Sequence, residues 1–223
     1  MGMRMTGKVC LLGWVASILC FTGCKSTYYA TMEKFGVHKR DMLKENVEEA
    51  RDEQKKATEQ FSDALTRLRE LYNINGGDLE KTYDRLKADF DRSEERATAV
   101  RTRIGKVETV AADLFREWEK EIAEMESSRL ASQSREKLRV TQQKYESLHT
   151  AMKRAETSMD PVLKQFRDQV LYLKHNLNAQ AIGALKGETL DIEKEIQQLI
   201  KDMNVSIQQA DSFIQGLEST PSP

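Results

Sequence analysis

The chain has 223 residues, and 32% of them are charged against roughly 25% in typical globular proteins, yet the formal net charge is only −1. Proline occurs at positions 161, 221 and 223 alone, which excludes turn-rich all-β folds, because these need a turn about every 8–12 residues. Regularly spaced apolar residues exclude a disordered chain, and three cysteines confined to positions 10, 20 and 24 exclude a disulfide scaffold.

The first 23 residues have the pattern of a bacterial lipoprotein signal peptide. Arg4 and Lys8 precede the apolar stretch 9–21, which is too short for a membrane helix of about 20 residues. Small residues then precede Cys24, as in a lipobox, where the thiol receives the lipid and the chain is cut just before it. We therefore predict that residues 1–23 are removed and that Cys24 is acylated. An ordinary secretory cleavage or an uncleaved anchor is the alternative.

The residue after the predicted lipid site indicates the destination of the protein. An Asp at position 25 would retain an enterobacterial lipoprotein in the inner membrane, whereas this chain has Lys25. This favours the outer membrane, facing the periplasm, with residues 24–27 as a tether. Without the signal peptide, 33 basic and 36 acidic side chains give a formal charge of −3, which argues against a nucleic-acid partner.

Two heptad seams follow and predict an antiparallel helical hairpin of two arms of about 45 residues each. Turn signals at 73–78, with adjacent glycines at 76 and 77, separate the seams. The first seam consists of Leu43, Val47, Ala50, Gln54, Ala57, Phe61, Ala64, Leu68 and Leu71. The second consists of Leu79, Tyr83, Leu86, Phe90, Ser93, Ala97, Val100, Ile104, Val107, Ala111, Leu114, Trp118 and Met125.

A third seam runs from Leu138 to Phe166, one residue out of phase with the second. Continuing the second seam beyond Met125 predicts a core position at Ser132, whereas the third seam predicts one at Ala131. We therefore predict a turn in the serine-rich stretch 127–134, with a continuous bent helix as the alternative.

Proline and glycine mark the candidate helix breaks in the rest of the chain. Pro161 either begins a helix, with Asp160 as its N-cap, or kinks one. Gly183 and Gly187 predict a turn at 183–187. The final helix then carries one apolar stripe: Ile192, Ile196, Ile200, Met203, Ile207, Ala210, Ile214 and Leu217.

These patterns predict an all-α domain over residues 28–218, followed by a disordered tail at 219–223. The expected architecture is an elongated antiparallel helical bundle or coiled coil of three to four long helices. Because alanine and polar residues leave each seam with only a narrow apolar surface, packing of the helices within one chain is favoured. Self-association into a homo-oligomer is left open.

Three sequence blocks resemble a bacterial family of predicted coiled-coil envelope lipoproteins that contain a domain of unknown function. They are Tyr28–Gly36, Asn75–Asp78 and the stretch from Met159 to Ala181, of which Leu173–Ala181 is the most specific. The resemblance covers roughly residues 26–216. It implies no known activity, cofactor or catalytic residue.

The candidate sites involve binding and not catalysis. The histidines at 38, 149 and 175 have no further His or Cys at metal-ligand spacing, so no metal or other cofactor is predicted. A basic and aromatic region near the anchor is expected to meet anionic lipid headgroups: Lys25, Tyr28, Tyr29, Lys34, Phe35, Lys39 and Arg40. A polar face with three- and four-residue spacing is a possible partner-binding face, with hydrogen bonding inside the bundle as the alternative: Asp168, Leu171, His175 and Asn178.

We therefore predict a non-enzymatic, lipid-anchored periplasmic protein with a structural, scaffold or adaptor role. Its predicted partners are membrane lipids, through acylated Cys24, and an unidentified envelope protein. The alternative is a helical-bundle carrier whose apolar interior holds a lipid or another hydrophobic ligand.

Overall fold

The computed structural model describes residues 39–72, 79–176 and 178–218. Four long helices contain nearly all of these residues: α1 (Lys39–Tyr72), α2 (Leu79–Glu124), α3 (Ser128–His175) and α4 (Ala179–Glu218). No strand occurs in the described ranges. The all-α prediction is confirmed.

The heptad seam of α1 forms its buried face. Its eight residues from Leu43 to Leu68 have no exposed surface. In α2 the predicted seam is buried without a gap from Leu86 to Ala111. Alanine at three of the α1 seam positions, Ala50, Ala57 and Ala64, allows neighbouring helices to approach closely.

α1 runs antiparallel to both of its neighbours in the bundle. Arg67 pairs with Asp89 of α2, and further back along α1 Glu49 pairs with Arg103. Towards α4, Arg69 pairs with Glu193 at 3.1 Å and Arg51 with Asp211 at 3.0 Å. In each case the residue numbers fall on one helix as they rise on the other.

α3 completes the bundle in the same antiparallel manner. The rings of Phe90 in α2 and Phe166 in α3 meet edge to face at 5.7 Å, and His149 Nε2 lies 2.8 Å from Glu108 Oε1. On the other side of α3, the Ser158 hydroxyl donates to Asp202 of α4 at 2.7 Å. The four helices therefore form a closed ring in chain order, and the predicted elongated antiparallel bundle is confirmed.

The turn predicted at 127–134 is shorter and earlier than expected. α2 ends at Glu124, and the Ser127 side chain accepts a hydrogen bond from the Leu130 amide as the N-cap of α3. Most of the serine-rich stretch is therefore helical. Ala131 is buried and Ser132 exposed, as the phase of the third seam predicts.

The turn predicted at 183–187 is wrong. α4 begins at Ala179 and continues through both glycines, so the chain reverses at 176–178 instead. Pro161 lies inside α3, which runs through it as one helix. The predicted link at 73–78 falls outside the described residues, between the end of α1 and the start of α2.

The α2–α3 pair extends past the start of α1 and the end of α4. Arg40 donates to the Leu217 carbonyl oxygen, and the Lys144 ammonium lies beside Gly216, so these two helix ends are level with Lys144, about one third of the way along α3. We call residues 113–141 the distal hairpin. Its small core consists of Ile122, Ala131 and Leu138, with Phe115 and Trp118 packed against them.

Two seam assignments differ in detail from the prediction. Met125, expected in the core, is 40% exposed, and Ile122 takes the interior position. In α4, Leu199 and Ser206 are fully buried whereas the predicted Ile200 and Ile207 are only half-buried. The buried α4 seam keeps strict four-three steps: Ile192, Ile196, Leu199, Met203, Ser206, Ala210, Phe213 and Leu217.

Candidate functional site

The C-terminal end of α3 presents polar and apolar side chains to solvent. Asp168, Leu171, His175 and Asn178 are all exposed, so they do not form hydrogen bonds inside the bundle core. Leu171 has 51% of its surface exposed and Tyr172 has 40%, so two large side chains that are consecutive in the sequence are both exposed here. We call Asp168, Leu171, Tyr172 and His175 the α3 face.

Asn178 does not lie on α3, contrary to the predicted spacing. The helix ends at His175, and Asn176 closes it with a backbone hydrogen bond to the Leu173 carbonyl at 3.2 Å. Asn178 lies in the short connection to α4, where its amide donates to the Asn176 carbonyl at 2.9 Å. It therefore flanks the α3 face without being part of it.

An open groove of 360 Å³ lies beside the α3 face, between α3 and α4. Asp168 and Tyr172 form one wall, and Ala184 and Leu185 form the other. The groove therefore combines a carboxylate with apolar surface. Sequence reasoning missed Tyr172, because its position one residue before the buried Leu173 carries no periodic signal for a surface role.

The end of α3 packs against α2. Arg167 pairs with Glu94, and its guanidinium carbon lies 5.7 Å from the centre of the Phe90 ring, at cation–π distance. Phe90 in turn packs against the fully buried Phe166. These contacts fix the α3 face on a regular helix, which suits a surface that binds a partner without rearrangement.

The predicted membrane-proximal residues are described only in part. Lys39 and Arg40 open α1, and Arg40 binds the last turn of α4 through the Leu217 carbonyl. Lys44 follows one turn later and pairs with Glu218 at 2.6 Å. The hydrogen bond that the Lys44 ammonium donates to the Glu218 carboxylate raises the pKa of Lys44. The remaining residues of this prediction lie outside the described ranges: Cys24, Lys25, Tyr28, Tyr29, Lys34 and Phe35.

Buried polar groups cross the bundle at several levels. The Ser206 hydroxyl of α4 donates to Gln54 Oε1 of α1 at 3.0 Å, with both residues fully buried. Asp202, 5% exposed, accepts from Ser158, Gln198 and Arg154. These groups stabilise particular helix pairs, and none of them opens onto the α3 face.

Aromatic packing surrounds Tyr145 near the level where α1 begins. Its ring contacts Phe115 at 5.4 Å and Phe213 at 6.3 Å, and it stacks on His149 at 5.7 Å. Burial raises the pKa of the Tyr145 phenol to about 12. The phenol therefore stays neutral at physiological pH, and the cluster acts as packing between α2, α3 and α4.

Within residues 39–72, 79–176 and 178–218, no group of three or more His, Cys, Asp or Glu side chains is arranged to hold a metal ion. In the same ranges, no helix is long and apolar enough to cross a membrane.

Comparison with protein families places the whole bundle in one family. The family described as "Protein of unknown function (DUF2959)" matches residues 28–217. The chain belongs to this family. The match includes all four helices except the last residue of α4, and it confirms the resemblance to a domain of unknown function. A comparison with curated proteins finds no match for this chain.

Proposed function

We propose that this protein is a lipid-anchored spacer or adaptor of the bacterial envelope. In this proposal acylated Cys24 holds the chain in the outer membrane, and the bundle displays the α3 face to an envelope protein in the periplasm. The observation that carries the adaptor role is the exposure of Leu171 and Tyr172 on a rigid helix, next to a groove. The mechanism is positional and requires no chemistry.

The length of the helices supports a spacer. α3 has 48 residues, which corresponds to roughly 70 Å at 1.5 Å per residue. Below the distal hairpin, the closed ring of four antiparallel helices makes the bundle stiff, because every helix there is braced by two neighbours. A surface at one end of the bundle is then held at a set distance from the other end.

The packing of the interior gives less support to a carrier of hydrophobic ligands. The axis of the bundle is filled by large, fully buried side chains, among them Phe61, Met152, Met159 and Phe166. Tightly packed cores of this kind leave little space for a ligand. The buried Gln54–Ser206 pair adds polar groups to the same interior.

The proposal is tested by site-specific photo-crosslinking in cells that make the full chain. A photoreactive residue replaces Leu171 on the α3 face, and the matched control replaces Leu190 of α4, which is 67% exposed. We expect a discrete protein adduct from position 171 and none from position 190. The Cys24→Ser variant should take up no clickable palmitate analogue and should leave the outer-membrane fraction.

Two results contradict the proposal separately. Absence of lipid label on the parent protein refutes the anchor. Equal adducts at positions 171 and 190, or none at either, refute the α3 face as the adaptor surface.

A further inference from the structure

Positive charge follows one face of α3 within and just below the distal hairpin. Arg129, Lys137 and Lys144 are exposed and follow one another at intervals of eight and seven residues. Eight and seven residues are both close to two helical turns, so these side chains lie within about 80° of one another around the helix. The acid Glu136, seven residues after Arg129, pairs with Arg139 at 2.5 Å. We call Arg129, Lys137 and Lys144 the basic stripe. In the described part of the chain, none of the three has an ion-pair partner.

An exposed leucine belongs to the same face. Leu130 is 51% exposed, and it precedes Lys137 by seven residues. The half-buried Val140 lies between Lys137 and Lys144. Apolar side chains among cations are the composition of surfaces that lie on membranes, where the cations meet headgroups and the apolar groups enter the boundary of the acyl chains.

The fold brings the basic stripe to the end of the bundle where α1 starts. Lys144 Nζ lies 3.0 Å from the position that a Cβ on Gly216 would occupy, and Arg40 binds the carbonyl of the next residue of α4. From Lys144 to Arg129 the distance along α3 is about 22 Å. The 14 residues between Cys24 and Lys39 span up to about 50 Å when extended, so a bilayer that holds Cys24 is within reach of the whole stripe.

Charge in the distal hairpin is segregated between its two helices. The α2 arm has two cations, Arg116 and Lys120, and a majority of acids: Asp113, Glu117, Glu119, Glu121 and Glu124. The connection adds the acid Glu126. An anionic surface would therefore be attracted to the α3 side of the hairpin and repelled by the α2 side, which sets an orientation.

We propose that the basic stripe binds the anionic headgroups of a lipid bilayer, so that the α3 side of the distal hairpin lies on the membrane surface. The inference rests on the proposed function, since the anchor at Cys24 brings the hairpin to the bilayer. It assigns a second membrane contact that is far from Cys24 in sequence and is brought to the membrane by the fold.

The test uses the chain from residue 24 to residue 223 with Cys24→Ser, which cannot be acylated. Flotation measures its binding to vesicles of phosphatidylcholine, with or without phosphatidylglycerol. The formal charge of this chain is −3, so its overall charge does not attract it to anionic vesicles. The stripe variant carries Arg129→Gln, Lys137→Gln and Lys144→Gln. The control variant removes three exposed cations elsewhere, through Arg85→Gln, Lys164→Gln and Lys201→Gln.

We expect the parent chain to bind the phosphatidylglycerol vesicles in preference to the neutral ones. Each cation near an anionic surface contributes about fivefold in affinity, so the stripe variant should lose more than about tenfold while the control loses much less. Equal losses in the two variants overturn the proposal, and so does a parent chain without preference for phosphatidylglycerol. Because this chain has no acyl group, either outcome leaves the palmitate-labelling test of the anchor unaffected.

Discussion

At the scale of single residues, the Gln54–Ser206 hydrogen bond is an unusual feature of the core. Gln54 Oε1 accepts from Ser206, but Gln54 Nε2 is buried without a hydrogen-bond partner. A buried amide left unpaired costs about 1–3 kcal/mol, whereas replacing both partners of a polar pair by apolar groups is often neutral or stabilising. The pair therefore favours the α1–α4 register at some expense in stability, as single polar core residues do in coiled coils.

A single variant and a double variant of the Gln54–Ser206 pair should separate the cost of an unpaired buried amide from the effect of removing both polar groups. Ser206→Ala leaves the whole Gln54 amide unpaired, so we expect the free energy of unfolding to fall by about 1–2 kcal/mol in urea titrations. Gln54→Leu combined with Ser206→Ala removes both polar groups, and its stability should equal or exceed that of the parent. A double variant as unstable as the single one would show that the pair is a net stabilising contact.

At the scale of the helical elements, the glycines of α4 show where a local signal misleads. Gly183 and Gly187 indicate a turn in the sequence, but glycine permits a turn without requiring one. Leu185, one heptad before Ile192, is buried on the same stripe, and α4 continues as one helix through both glycines. The chain instead reverses between the end of α3 and the start of α4, next to short-range hydrogen bonds made by Asn176 and Asn178.

Replacement of Gly183 by alanine distinguishes the two structures. In a helix, Gly183→Ala should raise the free energy of unfolding by about 1 kcal/mol, because an added Cβ meets no atom within 4 Å. Gly216→Ala is the control, since its Cβ would lie 3.0 Å from Lys144 Nζ and part of the gain would be lost. Thermal unfolding measures both, and a loss of stability in Gly183→Ala would restore the turn predicted at 183–187.

The predictable part of the fold was the part governed by strict spacing. The α1 seam was correct at every residue whose burial is described, because apolar or small residues occupy its steps of four and three residues throughout, with Gln54 as the one exception. In α4 the neighbours Leu199 and Ile200 fit the same spacing equally well, and Ser206 was passed over for Ile207. Only the packing of α1 against α4, with Gln54 opposite Ser206, decides between them. The exposure of the α3 face likewise depends on where α4 begins, and no local pattern gives that point.

At the scale of the whole molecule, closure of the ring through α1 and α4 distinguishes this protein from an open helical hairpin. The first and last helices meet along their length, from Lys44 and Glu218 at one end to Arg69 and Glu193 at the other. These pairs are largely solvent-exposed, and each contributes little stability alone. The fully buried seams of α1 and α4 provide most of the stability of this contact. The ion pairs show how the two helices are aligned along their length.

Cross-linking within one chain tests this closure directly. Cysteines at positions 51 and 211, where Arg51 and Asp211 form an ion pair at 3.0 Å, should be joined by a short bis-maleimide in the chain from residue 24 with Cys24→Ser. The product should be a cross-linked monomer whose yield does not depend on protein concentration, because both helices belong to the same bundle. A control pair at 51 and 164 places the second cysteine on α3, across the bundle from α1, and should react poorly. Cross-linked dimers from the 51–211 pair at every concentration would mean that α1 completes the bundle of a second chain, and that the homo-oligomer left open by the sequence is the folded unit.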